Sequence, residues 1–148
     1  KVVDDKNFHD DLTDHPNWTG TGLAYIATNV SNFTNSNDPA PEGQQVLVIQ
    51  NEAIVKTTVH IPAAGHYRLY CLAAQRNSSG IENQLVQMLF GDIPVGFIRA
   101  KDDTYQGYYS QPLYFKEGDV PITLKGLRLM HLLGTCLCIS RRLERNFY

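Results

Sequence analysis

The chain carries no excess of positive charge: thirteen Lys and Arg stand against fifteen Asp and Glu, a net charge of −2. Nucleic-acid binding by counterion release needs a basic surface, so no nucleic-acid partner is expected. No apolar run approaches the ~20 residues of a helical membrane span, so no membrane insertion is expected either. Catalytic signatures are missing too, with no G-x-S-x-G elbow, no H-E-x-x-H and no Walker-type glycine loop. No stretch holds a helical period with caps at both ends; the nearest, Leu127–Leu133, is short and abuts Gly134. There is no leader pattern, and the chain opens on Lys1 rather than Met, which reads as a mature or excised piece.

What is present is a chain of 148 residues, 43% hydrophobic and 19% charged, enough for one packed domain over 1–148. Short apolar or alternating runs recur, each closed by Gly, Pro, Asn or Asp. They are Gly22–Thr28, Gln45–Gln50, Ala53–Ile61, His66–Ala74, Gln84–Phe90, Ile93–Arg99, Gln106–Phe115, Val120–Lys125 and Thr135–Ser140. Asn51-Glu52, Pro62–Gly65, Gly91-Asp92 and Glu117–Asp119 supply tight connections between them. This spacing predicts an all-β, antiparallel β-sandwich.

The two-residue strand period assigns faces. Val55, Thr57, Val59 and Ile61 share one side of their run. Tyr67, Leu69, Cys71 and Ala73 line up opposite Arg68 and Tyr70, while Val86, Met88 and Phe90 form an apolar face, as do Ile122 and Leu124. Asn29–Pro41 differs in kind. Rich in Asn, Ser and Pro, it reads as a long polar surface loop, either mobile or functional.

Three cysteines leave at least one unpaired. Cys136 and Cys138, two apart on a strand-like run, share a face and would not bridge each other. Either would meet Cys71 if the last strand lay beside the run His66–Ala74; three buried thiols is the competing reading. Scattered histidines and a lone C-x-C argue against zinc. The sequons at Asn17, Asn29, Asn32 and Asn77 carry no functional weight on their own.

Asp4, Asp5, Asp10 and Asp11, with Asp14 nearby, are the candidate metal ligands: their oxygens suit a structural calcium, though they lack the EF-hand spacing, and solvated turn residues are the competing reading. Aromatic and amide content near the predicted loops suggests a second chemistry. Tyr105, Tyr108 and Tyr109 cluster in DDTYQGYYSQP, Trp18 sits in a Gly/Thr-rich turn, and Gln75-Arg76-Asn77 follows a strand. Sugars are held by this mix, their C–H faces on rings and their hydroxyls on amides and guanidinium groups.

The order W-T-G-T-G (Trp18–Gly22), P-E-G-Q-Q-V-L-V-I-Q-N (Pro41–Asn51), V-H-I-P-A-A-G-H-Y-R-L-Y-C-L-A-A-Q-R (Val59–Arg76), F-G-D-I-P-V-G (Phe90–Gly96) and K-E-G-D-V-P-I-T-L-K-G (Lys116–Gly126) resembles the galactose-binding-like jelly-roll domains. Such domains serve as non-catalytic carbohydrate-binding modules of secreted polysaccharide-degrading enzymes. The resemblance implies a secreted or cell-surface domain that binds polysaccharide or oligosaccharide beside a catalytic domain of its parent chain. It points to Gln75 and Arg76 at a strand end, Gln87 on the adjacent strand, Tyr105, Tyr108 and Tyr109 beside them, and Trp18 as an edge platform. Relatives that bind structural calcium use an acid in the final strand; Thr135–Leu143 has none, which counts against a metal. The basic tail beginning at Arg141 also departs from the family. The rival reading is a structural or adhesive protein–protein interaction domain; a small glycan-cleaving enzyme has only the paired carboxylates behind it.

Overall fold

The computed structural model describes residues 9–11, 18–41, 43–77, 84–100, 102–127 and 135–145, and over 9–11 and 135–143 it describes the backbone. All secondary structure among these residues is β. The strands are β1 (His9–Asp11), β2 (Thr19–Thr21), β3 (Ala24–Thr28), β4 (Gln45–Gln50), β5 (Ile54–Ile61), β6 (Gly65–Gln75), β7 (Leu85–Phe90), β8 (Ile93–Arg99), β9 (Gln106–Tyr109), β10 (Leu113–Phe115), β11 (Gly118–Leu127) and β12 (Thr135–Arg145). They form two antiparallel sheets. The larger runs β1-β3-β4-β12-β6-β10, with β9 also paired to β6, and the smaller runs β2-β5-β11-β7-β8.

The sandwich follows from the period-two faces. Val55, Thr57 and Ile61 of β5, Ile122 and Leu124 of β11, and Val86, Met88 and Phe90 of β7 are buried, and they face Leu69, Cys71 and Ala73 of β6 and Ile26, Leu47 and Ile49 of β3 and β4. Two apolar sheet faces closing on each other bury both at once, which a lone sheet cannot do. The run Gln106–Phe115 is broken in two for a local reason. Ser110 accepts from Leu69 N through Oγ (2.8 Å), Gln111 N turns away to Val95 O of the other sheet (2.6 Å), and Pro112 has no N–H to donate. The last strand lies beside β6, the condition set for either cysteine to approach Cys71, and its register pairs Cys138 with Ala73 and Cys136 with Gln75. Leu127–Leu133, the helical candidate, lies outside the described residues beyond Leu127, where β11 ends.

The outward face of the larger sheet carries a second apolar cluster. Ala27, Val46 and Val48 are buried there, with Tyr25, Phe33, Ala40, Leu72 and Tyr105 packed around them. The cover is the segment 29–41. Its composition suggested a polar surface loop, but the loop is docked: Ser31 and Thr34 are buried, and Phe33 stacks on Tyr25 at 5.2 Å. Thr34 Oγ1 donates to Thr28 O, and Ala40 N donates to Asn29 Oδ1 at 2.9 Å.

Candidate functional site

β6 is the strand that organises the outward face of the larger sheet. Its even-numbered residues His66, Arg68, Tyr70, Leu72 and Ala74 alternate with the core residues and so point away from the sandwich interior, with Arg76 just past the strand's end. The far half of this row, from Leu72 to Arg76, lies against the docked loop. Arg76 Nη2 donates to Asn32 O (2.9 Å), and its guanidinium lies 4.9 Å from the centre of the Phe33 ring. Burial lowers the Arg76 pKa, though an arginine remains charged at any ordinary pH. Asn37 completes the clamp, donating through Nδ2 to Gln75 O (2.9 Å) and Asp103 O (3.1 Å) and accepting from Asn77 N (2.8 Å).

The near half, from Tyr70 to His66, presents rings to solvent. Register places Tyr109 of β9 opposite Tyr70 and Tyr114 of β10 opposite His66. Tyr70 and Tyr109 have ring centroids 4.7 Å apart, and the Arg68 guanidinium sits 4.0 Å from the Tyr109 centroid. Arg68 is fixed in turn by Glu144 of β12, with Nε and Nη2 each 2.9 Å from Oε1. Tyr114 meets His66 edge-on at 5.4 Å. Tyr109 is 48% and Tyr114 57% exposed. Gly107 is needed here, because a Cβ on it would stand 2.8 Å from the Tyr70 ring. The two exposed tyrosines attach four residues apart along β6, about 13 Å. The result is a row of rings interleaved with a guanidinium, a carboxylate and an imidazole, on a sheet rather than on loops.

Of the expected site residues, Tyr109 lies on this open row. Tyr105 packs on the cluster beneath the loop, and Arg76 clamps the loop itself. Gln75 shares the inward face of β6, and its Oε1 is buried. Tyr108, opposite Cys71, packs against the main core and donates its hydroxyl to Arg99 O (2.9 Å). Trp18, expected as an edge platform, is only 9% exposed and belongs to the core cluster. Gln87 was expected on a strand adjacent to β6; instead β7 belongs to the other sheet, where Gln87 stands between Lys125 of β11 and Phe97 of β8. Face periodicity had set Arg68 and Tyr70 opposite the core face without assigning them a role; Tyr114 was given none, and Glu144 was read only as part of the basic tail.

Asp10 and Asp11 fall in the edge strand β1, while Asp4 and Asp5 lie outside the described residues. The final strand does carry an acid, Glu144, beyond the stretch considered from sequence, and that acid is engaged by Arg68. Among the described residues no group of three or more His, Cys, Asp or Glu side chains is placed to hold a metal ion.

No family model matches the chain, and no curated protein matches it in sequence. Solved structures match its fold. A family 61 carbohydrate-binding module in complex with β-1,4-galactotriose aligns with a TM-score of 0.61 at 13% identity, over 95% of this chain and 92% of that one. A carbohydrate-binding module from Cellvibrio mixtus lichenase 5A in complex with cellotriose aligns with a TM-score of 0.54 at 16% identity, over 93% and 96%. The isomalto-dextranase of Arthrobacter globiformis T6, complexed with panose, aligns with a TM-score of 0.57 at 16% identity, over 84% of this chain and 21% of that enzyme. The fold is the jelly-roll β-sandwich of carbohydrate-binding modules, as the sequence resemblance implied.

Proposed function

We propose that the chain is a non-catalytic carbohydrate-binding module, one domain over 1–148, that holds polysaccharide or oligosaccharide on the open half of the larger sheet. The observation that carries this reading is the row Tyr70, Tyr109 and Tyr114 with Arg68 locked between Tyr109 and Glu144. An exposed ring offers a flat apolar surface to the C–H face of a pyranose, and the fixed guanidinium and carboxylate donate to and accept from its hydroxyls. Rings about 13 Å apart on one sheet suit several consecutive sugars of a chain better than a single terminal one. Pre-positioning by the Arg68–Glu144 pair reduces the ordering cost on binding.

Binding of this kind is weak and reversible, and it gains strength when the module is tethered to a catalytic domain acting on the same polymer. That arrangement places the protein outside the cell or on its surface, and the partial alignment with a much longer dextran-cleaving enzyme supports it.

The test is affinity gel electrophoresis against neutral plant, algal and microbial polysaccharides. One or more polymers should retard the protein, and Tyr109→Ala should weaken that retention at least about tenfold with the thermal midpoint little changed. Retention by none of the polymers would contradict the reading and favour a protein partner instead. Retention that survives Tyr109→Ala undiminished would move the site off this face.

A further inference from the structure

The cations of the two sheets behave differently. On the larger sheet Arg68 pairs with Glu144, Arg76 clamps the loop, and Arg145 donates to Ala64 O. On the outward face of the smaller sheet Lys56, Lys125 and Arg99 are all exposed, and none makes an ion pair with a described residue. Register fixes their arrangement. Lys125 lies opposite Gln87, Gln87 opposite Phe97, and Arg99 opposite Leu85 one step along the same two strands. Lys56, opposite Thr123, completes the group diagonally from Lys125. The group spans four strands, about 14 Å across them and about 13 Å along them.

Its centre is a ring and an amide. Phe97 is 51% exposed, beside half-buried Gln87 and Leu89. Among the described strand residues of this face the acid is Asp119, at the far end of β11, which lies 3.0 Å from His60 Nδ1. A chain of net charge −2 thus places on this face, around one exposed aromatic ring, three cations that have no ion-pair partner among the described residues. Spread over this face, they give it a positive character to which the acidic groups of a ligand are attracted.

We propose that this second face, centred on Phe97 and Gln87 and ringed by Lys56, Lys125 and Arg99, binds an acidic polysaccharide through its carboxylate or sulfate groups. The ring takes the C–H face of a sugar, Gln87 takes a hydroxyl, and the three cations take the acidic groups along the polymer. A flat sheet suits an extended polymer. The surface is separate from the row on the larger sheet, so the polymer it takes need not be the one held there.

The intact chain is run through gels containing polygalacturonate, dextran sulfate or neutral dextran, at low salt and at ~0.15 M salt. At least one acidic polymer should retard it, less so at the higher salt, and which polymer does so separates carboxylate from sulfate recognition. The triple variant Lys56→Gln, Lys125→Gln, Arg99→Gln should bind that polymer roughly tenfold more weakly while keeping its thermal midpoint and its retention by neutral glycans. Phe97→Ala should also weaken acidic-polymer binding severalfold. No retention by either acidic polymer, or retention unchanged in the triple variant, would overturn the proposal. Equal retention by the Phe97→Ala variant, or equal displacement by duplex DNA, would overturn it as saccharide recognition and leave only attraction between opposite charges.

Discussion

The docking of 29–41 can be tested at Phe33. Its ring stacks on Tyr25 at an interplanar angle of 21° and receives the Arg76 guanidinium on its other contact. Phe33→Ala removes a half-buried ring. Full burial of a phenylalanine is worth ~3–5 kcal/mol on truncation, so half of it costs about 2 kcal/mol. The lost aromatic pair adds ~0.5–1 kcal/mol. A total of about 2–3 kcal/mol lowers the thermal midpoint of a domain this size by roughly 5–10 °C. Calorimetry gives the midpoint, and hydrogen exchange should show faster exchange confined to the loop amides, among them Thr34 N and Asn35 N, which bond to Ser31 O. Val30, on the same loop but 58% exposed, is the control, and Val30→Ala should stay within ~0.5 kcal/mol. A Phe33→Ala midpoint no lower than that of Val30→Ala would refute the claim that this ring pins the loop.

Two further outcomes follow from the same geometry. Arg76→Ala removes both the hydrogen bond to Asn32 O and the contact with Phe33; it should cost about 1–2 kcal/mol of stability and leave glycan retention intact, whereas a sugar-contacting arginine would show the reverse. Gly107→Ala should drive the Tyr70 ring from its place, costing about 1–2 kcal/mol and weakening glycan retention; unchanged retention would show that the position of Tyr70 does not matter.

The inward faces of the strands were legible because burial imposes a period of two on each run, and Val86, Met88 and Phe90 or Leu69, Cys71 and Ala73 obey it without exception. Periodicity says which residues share a face but not which sheet a strand joins. Gln87 was therefore placed beside β6, although β7 pairs with β11 and β8. The loop was misread for a related reason. Its composition is polar, but what docks it lies far off in the chain, with Asn37 reaching Gln75 across 38 residues and Asp103 across 66. β1 and β2, three residues each, are too short to show a period at all. At the site, tyrosine clustering drew attention to Tyr105, Tyr108 and Tyr109 alike. Strand alternation then splits the last two, sending Tyr108 toward the core and Tyr109 outward beside Tyr70.

The central claim is the location of the sugar, and amide chemical-shift mapping tests it most directly. Titrating the isotope-labelled protein with an oligosaccharide of a neutral polymer that retards it should shift the amides of Arg68, Tyr70, Gly107, Tyr109 and Tyr114, and leave Gln87, Phe97 and Lys125 on the opposite sheet unmoved. Shifts that bypass β6, β9 and β10 and gather elsewhere would contradict the account.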